Sequence, residues 1–342
     1  MFKPKYTITN KLLANIKRIS EITTELNSRN FSNIVLLNME KRAREISAYS
    51  STSIEGNPLP LTDVKRILKN KPENARDSEK EVLNYNKALI ELDALLKSRR
   101  EIFNIELILQ IQRAITNGLI EDYRCGQIRQ EPVFVNNPKT RQTVYLPPDH
   151  QEVDKLLNEL FYYLSANKEI TDPLILAGLF HKQFVIIHPF IDGNGRTARL
   201  ATKALLAKMG LNTFYLFSFE NYYNKNVSRY FQEVGVLGNY YEIKDDIDFT
   251  SWLEYFTDGI IDELLRVIKE LVEENSSPAK ELKEHHLKII NHIKKRGYIA
   301  DRDYALLTKR AKPTRNLDFR KLIADGIIEK VGKGKATYYR LR

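Results

Sequence analysis

Twelve residues, His188-Pro189-Phe190-Ile191-Asp192-Gly193-Asn194-Gly195-Arg196-Thr197-Ala198-Arg199, constrain this 342-residue chain more than any other stretch. They lie between two apolar, helix-periodic segments, 174–187 and 200–209, with Pro189 breaking the first and Gly210 closing the second. A chain punctuated in this way runs helix, loop, helix. Gly193, Asn194 and Gly195 can take positive φ angles, which turn successive N–H groups toward one concavity at the head of a helix whose dipole favours an anion. Arg196 and Arg199, three apart, share a helix face and bring planar, permanently charged forks to the same place. Asp192 offers a hard oxygen to Mg²⁺, an ion that usually reaches proteins through one or two carboxylates plus substrate phosphates. His188 precedes proline, so its backbone is biased out of the helix and its ring projects into the loop's mouth, where it can accept a hydroxyl proton at neutral pH. Jointly these residues point to phosphoryl-group chemistry on a bound polyphosphate.

The stretch resembles the signature of the Fic family, His-x-Phe-x-(Asp/Glu)-Gly-Asn-Gly-(Arg/Lys)-x-x-Arg, with every defined position filled. The similarity extends through His181-Lys182-Gln183-Phe184, Gly126-Gln127-Ile128-Arg129, Tyr145-Leu146-Pro147-Pro148 and Asp248-Phe249-Thr250-Ser251-Trp252-Leu253, or roughly residues 4–262. The resemblance implies a protein adenylyltransferase, which moves AMP from Mg-ATP to a Ser, Thr or Tyr hydroxyl of a target protein and releases pyrophosphate. It implies His188 as the base and Asp192 as the metal ligand. Gly193, Asn194, Gly195, Arg196 and Thr197 would line the α and β phosphates, and Arg199 the γ phosphate. Such transfer is mostly positioning and charge stabilisation, in keeping with the residue types present.

Upstream, Ser51-Thr52-Ser53-Ile54-Glu55-Gly56-Asn57 reads by itself as a helix end, with Gly56 and Asn57 as cap residues before Pro58. It is also similar to the family's inhibitory segment, (Ser/Thr)-x-x-x-Glu-(Gly/Asn). That similarity implies that Glu55 pairs with Arg199 and occupies the nucleotide site, with Ser51 and Gly56 completing the motif. In some relatives the same glutamate supports removal of AMP, so brake and hydrolase both stand as roles for Glu55. Residues 130–148 alternate apolar and polar types around Asn136-Asn137-Pro138, a hairpin signal. An ordinary surface hairpin would look the same; the family similarity implies a flap in which Val133, Val144 and Tyr145 position a target strand. Tyr230-Phe231 resembles the family's aromatic contacts to adenine, and a buried core pair is the competing reading.

Helical patterning covers 9–26, 33–52, 61–68, 77–96, 105–117, 151–165, 225–237 and 249–274 besides the two motif helices, giving a mainly α fold. The expected division is an N-terminal helical region, 1–75, with the inhibitory motif; a Fic catalytic core, 76–272; a polar linker, 273–280; and a small domain, 281–342. The last part holds the chain's positive excess: 18 Lys and Arg against 7 Asp and Glu from Lys280 onward, a net of +11, against +10 for the whole chain. Its pattern is three helices, including 302–308 and 314–325, followed by strands 327–331 and 337–341 around Gly332-Lys333-Gly334-Lys335, and it looks like a winged helix-turn-helix. Arg315, Arg320, Lys321, Lys333 and Lys335 form the electrostatic footprint of duplex binding, although some winged helices bind only proteins.

The single cysteine, Cys125, excludes an intramolecular disulfide and suits a reducing cytoplasm; it is expected to act as a small buried hydrophobe. No apolar h-region occupies the first twenty residues and no apolar run reaches about eighteen residues, so no membrane partner is expected. The six histidines show no His-Glu-x-x-His pattern, and a structural metal is not expected. Two functions remain open: an autoinhibited adenylyltransferase whose tail meets DNA or a DNA-associated protein, with a second copy of the chain as a further candidate partner, and an ATP-sensing, DNA-binding transcriptional regulator.

Overall fold

The computed structural model describes residues 1–29, 31, 33–97, 103–136, 140, 142–208, 218–275 and 282–341. The chain divides into two compact units, residues 1–29 with 40–269, and residues 30–39 with 270–342. No division falls after residue 75. The expected separate N-terminal region is instead part of the first unit.

In the first unit, α1 (Asn10–Ser28) starts where the Thr9 hydroxyl accepts the Leu12 N–H, an N-cap. It is followed by α2 (Asn33–Ile54, of which 40–54 belong to this unit), α3 (Leu61–Asn70), α4 (Asp77–Lys97) and α5 (Ile105–Thr116). Two short strands come next, β1 (Val135–Asn136) and β2 (Thr143–Leu146), and then α6 (His150–Asn167). The centre is α7 (Pro173–Ile187), capped by Asp172 with Pro173 in its first turn and buried at every position but Pro173 and Val185. A helix apolar on all sides belongs inside a core. It packs against α8 (Asn194–Lys208), which in turn packs against α4 and α5. The remaining elements are α9 (Glu220–Lys225), α10 (Val227–Val234), β3 (Gly238–Asn239), α11 (Tyr240–Ile243) and α12 (Thr250–Asn275). Gly178 on α7 lets α12 approach closely, since a Cβ there would stand 2.6 Å from Leu253 Cδ2, and its carbonyl accepts the buried Trp252 indole N–H at 2.8 Å.

One buried polar cluster ties four helices together. Lys203 Nζ on α8 lies 2.9 Å from Glu220 Oε1 on α9 and donates to Ser47 Oγ on α2 at 2.6 Å. Glu220 also accepts the Tyr85 hydroxyl of α4 at 2.7 Å and the Ser218 hydroxyl at 2.8 Å. Burying the pair is tolerable because nearly every lone pair and proton is matched.

Several elements differ from the sequence reading. Helix α8 begins at Asn194 and not at Leu200, because the Asn194 side chain closes the preceding loop by accepting the Phe190 N–H (2.9 Å) and donating to the Phe190 carbonyl (2.7 Å). The helix expected over 225–237 is split at Asn226, whose side chain caps α10, and it stops at Val234. Strand β3 pairs in parallel with β2 (Tyr145 with Gly238), which gives a three-stranded β1-β2-β3 sheet where a lone hairpin was expected. Met209, Gly210, Asn137 and Pro138 lie outside the described residues, as does the linker core Ser276-Ser277-Pro278; residues 273–275 belong to α12.

The second unit contains α13 (Glu284–Arg296), α14 (Asp301–Leu307), α15 (Lys312–Ala324), β4 (Ile328–Val331) and β5 (Tyr338–Leu341), the order expected from the sequence. The strands pair antiparallel from Ile328–Leu341 to Val331–Tyr338, around a core that includes Ile289, Ile293, Tyr304, Phe319 and Leu322. His285, His286 and Asp318 bring one ligand atom each within 4.8 Å of the others. Yet His286 Nδ1 accepts the Lys283 N–H (3.3 Å), so its proton sits on Nε2 facing Asp318, which also accepts from Tyr304 and Arg310. That is a hydrogen-bonded core and not a set of free metal lone pairs. No helix among the described residues is long and apolar enough to cross a membrane. Cys125 is buried, with its Sγ 3.7 Å from the Thr116 carbonyl.

Replacing Lys203 by Met is expected to cost about 3–5 kcal/mol of unfolding free energy, because Glu220 keeps its charge without its cation. Urea denaturation measures this, and Lys203→Met combined with Glu220→Leu should recover much of the loss.

Candidate active site

The motif loop joins the C-terminus of α7 to the N-terminus of α8. His188 is the C-cap of α7 with φ 52° and ψ 60°, a left-handed conformation that residues with a Cβ rarely adopt. Its N–H donates to the Phe184 carbonyl at 3.1 Å, and Nδ1 faces the Val185 carbonyl at 3.3 Å. The ring proton therefore sits on Nδ1, and Nε2 keeps its lone pair. Burial pushes the imidazole down to about 4; the Arg129 guanidinium adds to the drop, while the Val185 hydrogen bond, Glu55 and Asp192 oppose it. By area the residue is only half-buried, and loss of hydration is still the largest cause. The ring is a neutral proton acceptor at pH 7.

Of the three residues expected to take positive φ, only Gly193 does (φ 82°). Asn194 is engaged with Phe190, as above, and Gly195 is helical. Its lack of a side chain serves another purpose: a Cβ would stand 2.3 Å from Glu55 Oε1 and 3.0 Å from Arg199 Nη1. The first ladder bond of α8 runs from the Thr197 N–H to the Gly193 carbonyl (2.8 Å), so the N–H groups of Asn194, Gly195 and Arg196 precede the ladder at the positive end of the helix dipole. Thr197 itself is fully buried, and its hydroxyl has no partner among the described residues; only its backbone belongs to the loop's surroundings.

Asp192, with its side chain 46% exposed, stands at the mouth. Its carboxylate accepts the Gly193 N–H (2.6 Å) and both oxygens meet Arg196 Nη2 at 3.0 Å. A half-exposed carboxylate beside unladdered N–H groups suits a divalent cation that carries phosphates. Arg196 also meets Glu81 of α4 (3.2 Å), whose other oxygen accepts from Asn57 Nδ2 at 2.7 Å. The sequence reading did not single out Glu81, since one carboxylate on a charged helix carries no local signal.

Arg199 has no exposed surface. It donates from Nε to Ser51 Oγ (2.8 Å), from Nη2 to the Ser51 carbonyl (2.9 Å) and to Glu55 Oε1 (2.7 Å), and from Nη1 to the Tyr230 hydroxyl (3.4 Å). Glu55 is the C-cap residue that follows Ile54, the last residue of α2. Gly56 takes φ 95° and donates to the Ser53 carbonyl, while the Asn57 N–H reaches back to the Thr52 carbonyl, the two bonds of a Schellman cap. Ser47, Ser51 and Glu55, four apart on α2, thus face Lys203 and Arg199, four apart on α8.

Other sequence candidates are placed differently from expectation. Tyr230 is buried, stacks on Tyr223 (4.6 Å between centroids) and bonds His181 Nε2 (3.1 Å), so it is a core residue and not an adenine contact; Phe231 is 38% exposed. Tyr145 is buried with its hydroxyl on the Ile186 carbonyl (2.9 Å), which makes it a brace between β2 and α7 and removes it from the residues that can touch a target. Val133 precedes β1, Val144 is half-buried on β2, and β2 is the central strand, which leaves β1 and β3 as the sheet's edges among the described residues. In the second unit, Arg315 is committed to Asp301 by two bonds of 2.8 Å and is not an open cation. Arg320, Lys321 and Lys333 are exposed, and the Lys335 side chain lies outside the described residues.

Residues 102–206 match the Fic/DOC family. The chain is 34% identical over 166 residues to "Protein adenylyltransferase Fic" of Nematostella vectensis, covering 47% of this chain and 37% of that protein. It is 28% identical over 217 residues to the protein of the same name in Aedes aegypti, covering 58% of this chain and 42% of that one. It therefore spans well under half the length of these curated relatives. The fold is similar to that of a Fic family protein from Desulfovibrio desulfuricans, with a TM-score of 0.64 and 22% identity over 100% of this chain and 98% of that one.

The His188 imidazole signals in an NMR titration are expected to move near pH 4 and not near 6.5. Because the folded value lies below the unfolded one, unfolding takes up a proton between these pH values, and this part of the stability is lost as pH falls through the window. A midpoint above 6.5 would contradict the assignment.

Proposed function

We propose that the chain is a protein adenylyltransferase held in check by Glu55. The observation that carries this reading is the pairing, in one loop, of a neutral His188 whose Nε2 lone pair is available with the unladdered N–H groups of Asn194, Gly195 and Arg196. A target Ser, Thr or Tyr hydroxyl attacks the α phosphorus of ATP. His188 Nε2 takes the hydroxyl proton, the new O–P bond forms, and the bond to the β phosphate oxygen breaks with release of pyrophosphate. The N–H groups and Arg196 hold the α and β phosphates, and Arg199 the γ phosphate. Mg²⁺ bound at Asp192 would neutralise charge developing on the phosphates.

Arg199 can serve ATP in this way only when Glu55 leaves it, so the carboxylate is both a competitor for the fork and a negative charge where the γ phosphate belongs. The same carboxylate, 29% exposed, can orient a water toward an AMP-modified hydroxyl, so removal of AMP is the companion activity of this site. A target segment would add to the free edge of β1. The second unit, read as a winged helix-turn-helix, would bring the enzyme to DNA or a DNA-associated protein through Arg320, Lys321 and Lys333, three exposed cations on α15 and the β4–β5 turn. A purely sensory role for ATP needs phosphate contacts but no base, and the presence of His188 with its free lone pair favours catalysis.

With labelled ATP in lysate, Glu55→Gly is expected to raise protein labelling about tenfold or more, the scale of one charge-assisted hydrogen bond of about 1.5–3 kcal/mol. Adding His188→Ala should lower it by about 10²- to 10⁴-fold, the usual contribution of a general base; unchanged labelling would reject the base assignment. Duplex affinity should weaken with salt, and Arg320→Gln with Lys321→Gln should flatten the log–log slope by about 1–2, whereas salt-insensitive binding would reject the DNA reading.

A further inference from the structure

Arg129 lies 59 residues from His188 in the sequence, is nearly fully buried, and has no carboxylate partner among the described residues. Its guanidinium is aimed at backbone carbonyls. Nε donates to His188 at 2.8 Å, Nη1 to Glu131 at 3.2 Å, and Nη2 to Pro148 and, at 3.5 Å, to Ile187. Its own backbone N–H donates to the Pro189 carbonyl at 2.9 Å. Ile187 and His188 end α7, where carbonyls lose their ladder partners and a cation is favourably placed; the Tyr145 hydroxyl takes the neighbouring Ile186 carbonyl. Glu131 and Pro148 are the two ends of the segment that carries β1 and β2.

One planar group therefore touches both feet of the hairpin and the backbone of the residue held in the left-handed conformation. We infer that Arg129 is a positioning residue that sets His188 and the target-holding hairpin in a common frame, so that a hydroxyl presented on the hairpin meets Nε2 in register. The inference rests on the reading of His188 as the base. Lysine cannot substitute, because a point charge on a flexible stem cannot fork to four carbonyls in one plane. Arg129 does not touch substrate; it acts through the geometry of His188 and through its charge, which opposes protonation of the ring.

The test uses the full chain in the Glu55→Gly background, with Arg129→Gln and Arg129→Lys. Turnover with a saturating protein target should fall about 100-fold, the scale of an ångström-sized misplacement, while calorimetric binding of Mg-ATP stays within about twofold. The His188 NMR titration should move up in Arg129→Gln, which removes the charge, and added guanidinium ion should restore part of the turnover of that variant. If Arg129→Gln fails to fold, Arg129→Lys is judged by the same turnover and binding readouts. Full activity in Arg129→Lys would overturn the inference. So would losses of ATP binding, melting temperature and turnover in step, with the His188 titration unmoved. Retained labelling by His188→Ala would mark a failure of the base reading instead, and the titration would still report on Arg129.

Discussion

A guanidinium without exposed surface needs an acceptor in every state it occupies. Arg199 satisfies that need with Ser51 and Glu55, and both lie on the last turns of α2. Removing the carboxylate would leave a buried charge without compensation, a cost of several kcal/mol unless another anion enters. On the proposed reading the pocket holds one of two anions, the chain's own carboxylate or a phosphate. The ladder beneath it, Ser47 against Lys203 and Glu220, keeps α2 beside α8, with Glu55 at the end of α2.

The same economy governs the rest of the site. Asp192 and Arg196 are paired with each other, and Glu81 joins that pair to Asn57 just beyond the end of α2. Each charge that the phosphates and metal would meet is thus matched beforehand by a protein group, which lets a strongly polar pocket persist next to an aromatic core. His188 stands apart, neutral through burial, with one nitrogen committed to Val185 and one available.

Much of this was legible in the sequence because it is local. Pro189 and the glycines mark the loop, Arg196 and Arg199 share a face by spacing, and Gly56 ends α2 as its cap chemistry predicts. The misreadings share one cause, in that they depended on partners distant in the chain. Gly195 was read as a turn residue, but its smallness makes room for Glu55. Tyr145 reads from the sequence as a flap residue and Tyr230 as either an adenine contact or a core residue, and only long-range packing shows that both are buried. Arg315, an open cation by sequence pattern alone, is paired with Asp301 in the fold. Arg129 and Glu81 carry no periodic signal, and β3 is too short to produce an alternation.

A double-mutant cycle on the initial rate of AMP transfer, with wild type, Glu55→Gly, Arg199→Met and the two combined, tests the exchange of anions at Arg199 most directly. If the carboxylate acts by occupying that guanidinium, the gain from Glu55→Gly should largely vanish in the Arg199→Met background, with a coupling of about 1–3 kcal/mol. An equal gain in both backgrounds would contradict it and place the effect of Glu55 elsewhere.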